Sequence, residues 1–112
     1  MMDEYPAIAA VGEVGDAQRG LQIVGEYTSG GDKVQMCYAF EFLSGTEAPD
    51  GLRIAEVLRA FDAAAPEGWA CWAFSNHDVE RHFTRWRLSP EQARVYLAVL
   101  LAMKGSVCLY QG

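Results

Sequence analysis

Two carboxylates, Glu13 and Asp78, lie at or just beyond the ends of short apolar runs of the sequence. Asp78 ends a polar cluster that follows the apolar run 69–74, and His77 is its neighbour in that cluster. Glu13 lies at the end of the apolar run 7–14. If both runs are strands of one parallel sheet, their carboxyl ends lie on the same edge. The two acids would then face one pocket.

Such a pair of acids, with a histidine beside one of them, suits cleavage of a glycosidic bond. One carboxylic acid protonates the leaving oxygen, and a carboxylate attacks the sugar or activates water. Simpler roles stay open, because 15 of the 112 residues are acidic. Glu13 would then be a solvated turn residue, Asp78 a helix cap, His77 a partner of a backbone carbonyl and Arg81 a surface ion-pair residue.

The elements that must position these residues alternate between strand and helix. Apolar runs bounded by turn residues predict strands, and a period near 3.6 predicts helices. The expected strands are 7–14, 34–43, 69–74 and 107–110, and the expected helices run from an N-cap at Asp16 toward Thr28, over 51–65, and from a capping box at Ser89 to Lys104. This order is typical of an α/β fold with parallel strands. The pattern leaves open a small open sheet or half of an eight-stranded barrel.

Composition limits the partners. The 112 residues allow one domain, and the net charge of -6, with scattered Lys and Arg, argues against nucleic acid as a partner. No apolar run reaches the roughly 18 residues that span a bilayer, so no membrane partner is expected. The opening residues lack a basic segment ahead of an apolar one, which argues against a secretory signal and favours a cytoplasmic location.

The three cysteines give no sign of a disulfide or of a metal site. Cys37, Cys71 and Cys108 are odd in number, widely spaced and each embedded in an apolar segment. Such cysteines are expected to be reduced and buried as small hydrophobic side chains. Neither a metal nor a cofactor is therefore expected.

Three segments resemble motifs of the α-amylase superfamily, glycoside hydrolase family 13, and they follow one another along the chain in the order that the family has. Residues 74–78, followed by Arg81, are similar to the Asn-His-Asp motif that ends the seventh barrel strand of that family. Residues 11–14 (VGEV) resemble the strand-five motif with the general acid/base, and residues 105–112 (GSVCLYQG) resemble the strand-eight segment. The aromatic run 36–42 stands where strand six is expected.

Within that superfamily, the stretches GEYTSGGDK, MCYAFEFL and APEGWACWAFSNHD are similar to bacterial α-glucosidases of the oligo-1,6-glucosidase type. The resemblance implies that Glu13 is the acid/base and that Asp78 binds sugar hydroxyls and stabilises the transition state. It implies that His77 binds a hydroxyl and that Arg81 shapes the pocket. The expected substrate is a short α-linked gluco-oligosaccharide.

The resemblance also implies that something is missing. The family's nucleophilic aspartate ends strand four, with an arginine two residues ahead of it, and only twelve residues precede Glu13. Residues 1–112 would therefore be the C-terminal half of a TIM (β/α)8 barrel, strands five to eight. Such a fragment is expected to be inactive and to need the amino-terminal half. One further departure is Val107, which stands where the family commonly has proline.

Two other interpretations fit parts of the pattern. A trehalose synthase, a sucrose-cleaving enzyme or another transglycosylating relative would share these motifs. A small non-catalytic α/β binding domain would make Glu13 and Asp78 unrelated surface acids. Carboxylates on one edge of the sheet would favour the barrel, and carboxylates on opposite ends would exclude it.

Overall fold

A parallel sheet of four strands is the centre of the fold. The computed structural model describes residues 5–15 and 19–111. The strands lie in the order in which they follow one another in the sequence, and every neighbouring pair is parallel. They are β1 (Val11–Gly12), β2 (Met36–Ala39), β3 (Ala70–Trp72) and β4 (Ser106–Val107). The predicted parallel α/β order is therefore confirmed.

In residues 5–15 and 19–111, four helices and one 3₁₀ turn lie between the strands. The helices are α1 (Gly20–Thr28), α2 (Gly51–Ala64), α3 (His82–Arg85) and α4 (Pro90–Ala102), and the 3₁₀ turn is Phe40–Phe42. The capping box predicted for α4 is present: the Ser89 hydroxyl accepts from the Gln92 backbone N–H, and the Gln92 side chain accepts from the Ser89 N–H. The N-cap predicted at Asp16 lies outside the described residues.

The strands are shorter than the apolar runs predict. The run 7–14 contributes only two residues to the sheet, because Ala7 has a φ of 65° and pairing with β2 is limited to Val11 and Gly12. The run 34–43 leaves the sheet after Ala39. Its aromatic end turns inward instead, and the Phe42 ring lies 5.9 Å from that of Trp72.

Side chains on one face of the sheet form the core with the helices. Cys37 and Ala70 are fully buried, and so is Trp72. The Trp72 ring packs edge-on against Phe61 of α2 at 5.6 Å, and its indole N–H donates to the Lys104 carbonyl oxygen at 2.8 Å. This bond satisfies the polar atom of a buried tryptophan and fixes the chain between α4 and β4.

The opposite face of the sheet is partly open. The Tyr38 hydroxyl lies 3.0 Å from the Cys108 sulfur, and the Trp69 indole N–H donates to the Ser106 hydroxyl at 2.9 Å. Trp69 is 43% exposed, although the apolar run 69–74 predicts a buried strand throughout. Trp69 lies one residue before β3, and its side chain is on the partly open face of the sheet, where its indole meets Ser106.

The three cysteines are all free, as predicted. Cys37 and Cys71 are buried, and burial raises the pKa of both thiols, that of Cys71 to about 11. Cys108 differs from the prediction, because it is only half-buried and its sulfur shares a hydrogen bond with the Tyr38 hydroxyl. A buried protonated thiol is a poor nucleophile, so Cys37 and Cys71 act as packing residues.

Candidate active site

The two candidate carboxylates lie at the same edge of the sheet. Glu13 follows β1 directly, and Asp78 ends the loop that follows β3. Because β1, β2 and β3 are parallel neighbours, their carboxyl ends meet at one edge, and Glu13 lies across β2 from Asp78. This is the arrangement expected for a barrel rather than for two unrelated surface acids on opposite ends of the sheet. The carboxyl edge of parallel strands is also where α/β enzymes place their catalytic groups.

His77 and Asp78 form an exposed pair. The His77 Nε2 lies 3.5 Å from the Asp78 Oδ1, and the two side chains are 71% and 63% exposed. The Asn76 side-chain oxygen accepts from the Asp78 backbone N–H at 3.0 Å, which folds the loop into a tight turn. The helix that follows has Arg81 at its N-cap position, so the simpler role of Asp78 as a helix cap is wrong. Both side chains are free to meet a ligand at the edge of the sheet.

Glu13 lies on the open side of the sheet, next to Tyr38. The pKa of Tyr38 is raised to about 12, first by its hydrogen bond to Cys108, then by burial, and also by the negative charge of Glu13. Glu13 itself is exposed. Its charge therefore acts on the same face of the sheet as the Tyr38 hydroxyl, above the carboxyl end of β2.

Arg81 is in contact with the segment that follows β4. Its guanidinium lies 4.4 Å from the centre of the Tyr110 ring, and its Nη1 is 3.5 Å from the Tyr110 carbonyl oxygen. The arginine thus connects the exits of β3 and β4 through a cation–π contact. Tyr110, which is 44% exposed, is brought to the same edge as Asp78.

The sequence pattern did not reveal α3 or its contacts with the loop. The His82 backbone N–H donates to the Ser75 hydroxyl at 2.8 Å, and the His82 Nδ1 lies 2.9 Å from the same oxygen. Arg85 donates to the carbonyl oxygens of Phe74, at 2.7 Å, and Phe42, at 3.1 Å, and also to that of Leu43. The sequence signal for α3 is the pair His82 and Arg85, which are spaced three apart after the loop. A helix of one turn is too short to show a helical period.

Comparison with known proteins identifies the family. Residues 1–112 match the model described as the α-amylase catalytic domain. The chain belongs to the α-amylase family. It is 64% identical to a "Probable alpha-glucosidase" of Rhizobium meliloti (strain 1021) over 119 residues, which cover 100% of this chain and 21% of that protein.

A solved structure shows which part of the α-amylase family fold this chain corresponds to. It matches the crystal structure of the alpha-glucosyl transfer enzyme XgtA with a TM-score of 0.88 and 38% identity, over 99% of this chain and 21% of that one. The four parallel strands and the helices between them are the C-terminal half of a TIM (β/α)8 barrel, as the motif order implies. The chain thus spans about one fifth of the length of both relatives.

The two acids of this family member lie on an open edge. Among the cavities of the described part of the chain, three of 360 to 690 Å³ are lined by neither Glu13 nor Asp78. The one of 530 Å³ lies at the carboxyl end of β2, and Tyr38 and Glu41 are among its lining residues. Half a barrel exposes its inner face to solvent. Within residues 5–15 and 19–111, Glu13 and Asp78 therefore lie at an open edge rather than in a closed pocket.

In the part of the chain that the structure describes, no three His, Cys, Asp or Glu residues come together in a way that could hold a metal ion. In the same residues, no helix is long and apolar enough to cross a membrane.

The histidine of α3 predicts a pH dependence of stability. Burial lowers the pKa of His82 from its ordinary value of 6.5, and the neighbouring Arg85 lowers it further. The unfolded chain therefore binds a proton on His82 at a higher pH than the folded chain, and the free energy of unfolding falls as the pH drops below 6.5. The stabilising contribution is fully present above that pH.

A chimera provides the protein for this measurement: the Rhizobium relative with its matching segment replaced by residues 1–112. We expect His82→Gln to reduce the loss of melting temperature between pH values above and below 6.5. His77→Gln is the matched control, because His77 is 71% exposed. Equal pH dependence in the His82→Gln variant and the unmodified chimera would contradict the prediction.

Proposed function

We propose that this chain is part of a retaining α-glucosidase that hydrolyses the α-glucosidic bonds of short gluco-oligosaccharides. The observation that supports this best is the placement of Glu13 and Asp78 at one edge of the sheet. It is supported further by the 64% identity to a protein named a probable alpha-glucosidase. Membership of the α-amylase family argues against a small non-catalytic binding domain.

In the proposed mechanism, Glu13 acts as the acid/base. It protonates the leaving oxygen while a carboxylate attacks the sugar, and it then removes a proton from the water that hydrolyses the glycosyl-enzyme. Asp78 binds sugar hydroxyls, and its negative charge stabilises the positive charge of the transition state. His77 binds a further hydroxyl, and Arg81 shapes the pocket together with Tyr110.

The attacking carboxylate comes, in this proposal, from a part of the protein outside residues 1–112. The chain by itself would lack the acceptor for the first chemical step, and the amino-terminal half of the barrel is its required partner. We therefore expect residues 1–112 alone to be inactive. No metal, cofactor, nucleic acid or membrane enters the proposal, and the cytoplasmic location stays a prediction from the sequence.

Transglycosylation is the second candidate, and the match to an alpha-glucosyl transfer enzyme favours it. It shares the glycosyl-enzyme and differs only in the acceptor, which is a sugar hydroxyl rather than water. A trehalose synthase or a sucrose-cleaving enzyme would belong to this class. Chromatography of the products formed from maltose separates the candidates, because both reactions release glucose but only transfer also gives longer or isomeric sugars.

The proposal is tested with the chimera and an aryl α-glucoside. We expect release of the aryl group and first appearance of the α anomer of glucose, because a double displacement retains the configuration. The corresponding aryl β-glucoside should stay intact. A folded chimera that leaves the α-glucoside intact, while the Rhizobium parent cleaves it, would contradict the proposal.

A further inference from the structure

Arg85 of α3 connects the exits of two neighbouring strands. Its guanidinium donates to the carbonyl oxygens of Phe42 and Leu43, which end the segment after β2, and to that of Phe74, which begins the loop after β3. The same group lies 5.2 Å from the centre of the Trp86 ring. A planar guanidinium can meet several acceptors in fixed directions, which a flexible ammonium cannot do equally well.

These contacts fix the start of the loop with the candidate acid. Phe74 is 1% exposed, and its ring packs edge-on against Trp86 at 5.1 Å. His82, on the same turn as Arg85, holds the next residue, Ser75, through two contacts. The loop then passes through the Asn76 turn and ends at the exposed Asp78.

The start of the loop is therefore held through the Phe74 carbonyl oxygen and the Ser75 hydroxyl, and its middle is folded by the Asn76 turn. At its end, the exposed side chains of His77 and Asp78 lie against each other. A displaced Phe74 carbonyl would move the whole loop, because only three residues separate Phe74 from Asp78. Three carbonyl oxygens would also lose a charged donor together. Both effects act on the position of the loop rather than on its charge.

We propose that Arg85 is a positioning residue that holds His77 and Asp78 in the geometry needed at the carboxyl edge of the sheet. The inference rests on the proposed α-glucosidase function for its kinetic consequence, and on the hydrogen bonds alone for its structural one. A shift of about 1 Å in a catalytic group can lower the rate about 100-fold. The loss falls mainly on kcat, since stabilisation of the transition state depends on the position of Asp78.

The test compares Arg85→Met, Arg85→Lys and Arg94→Met in the chimera. Arg94 is the matched control, because its side chain on α4 is 77% exposed and lies 4.0 Å from Glu91. We expect Arg85→Met to lower kcat on the aryl α-glucoside about 100-fold with a much smaller change in KM. Arg85→Lys should lower kcat less, and Arg94→Met should leave it unchanged.

Amide hydrogen exchange of residues 75–81 separates this inference from the function it rests on. Faster exchange of that segment in Arg85→Met, with unchanged exchange in α4, supports the positioning role even if the unmodified chimera shows no hydrolysis. Unchanged exchange, or wild-type kcat in a folded Arg85→Met variant, overturns it. If Arg85→Met does not fold, Arg85→Lys decides by the same two measurements.

Discussion

Replacing Glu13 with glutamine is expected to lower the kcat of the chimera on maltose by about 100-fold to 10,000-fold. Glutamine has the same shape as glutamate but cannot give a proton to the leaving oxygen or take one from water. The loss should be smaller in the first chemical step on an aryl α-glucoside, whose leaving group needs little protonation. This difference between substrates is specific to an acid/base residue.

The matched control is Glu67→Gln. Glu67 is exposed in the turn that precedes β3, and so lies at the opposite edge of the sheet from Glu13. We expect the kcat of Glu67→Gln to equal that of the unmodified chimera. The melting temperatures of both variants should stay close to that of the unmodified chimera, because both side chains are exposed. A Glu13→Gln variant with normal activity on maltose would refute the acid/base assignment.

The second large effect is expected for Asp78→Asn. The substitution removes one negative charge next to the positive charge that develops on the sugar, and we expect kcat/KM to fall by about 100-fold or more. The fold of the loop should persist, because Asn76 accepts from the Asp78 backbone N–H and not from its side chain. Steady-state kinetics on the aryl α-glucoside measure the loss.

Asp62→Asn is the control for this charge change. Asp62 lies on α2, where it accepts from Lys104 at 3.0 Å, and its side chain is 59% exposed. Both variants lose one exposed carboxylate, so a difference between them reports the place of the charge. If Asp78→Asn and Asp62→Asn are equally active, Asp78 is not the stabilising carboxylate.

Features that depend on local sequence could be predicted. The capping box at Ser89 is present because its two hydrogen bonds join residues three apart. The polar cluster that ends at Asp78 follows a buried strand, as the abrupt change from apolar to polar residues indicates. The parallel orientation of the strands was also predictable, because helices connect them, whereas their order in the sheet followed only from the family resemblance.

Features that depend on tertiary contacts could not be predicted. The run 34–43 is aromatic, apolar and of strand length, yet Phe42 lies outside the sheet and its ring packs against Trp72 and Phe74 in the core. The short helix α3 is stabilised by Ser75 and by carbonyl oxygens distant in sequence, such as that of Phe42. The family motifs identified the acids of the loop but not the arginine that holds it.

The role of Glu13 as the acid/base of a retaining enzyme is the central claim, and azide tests it directly. In the Glu13→Gln chimera, an activated aryl α-glucoside should form the glycosyl-enzyme. This intermediate then accumulates, because no general base activates the water that would hydrolyse it. Azide needs no base, so we predict that it restores turnover and yields α-glucosyl azide, while the unmodified chimera gives only glucose. A variant whose turnover does not respond to azide, or that forms the β-azide, would contradict the account.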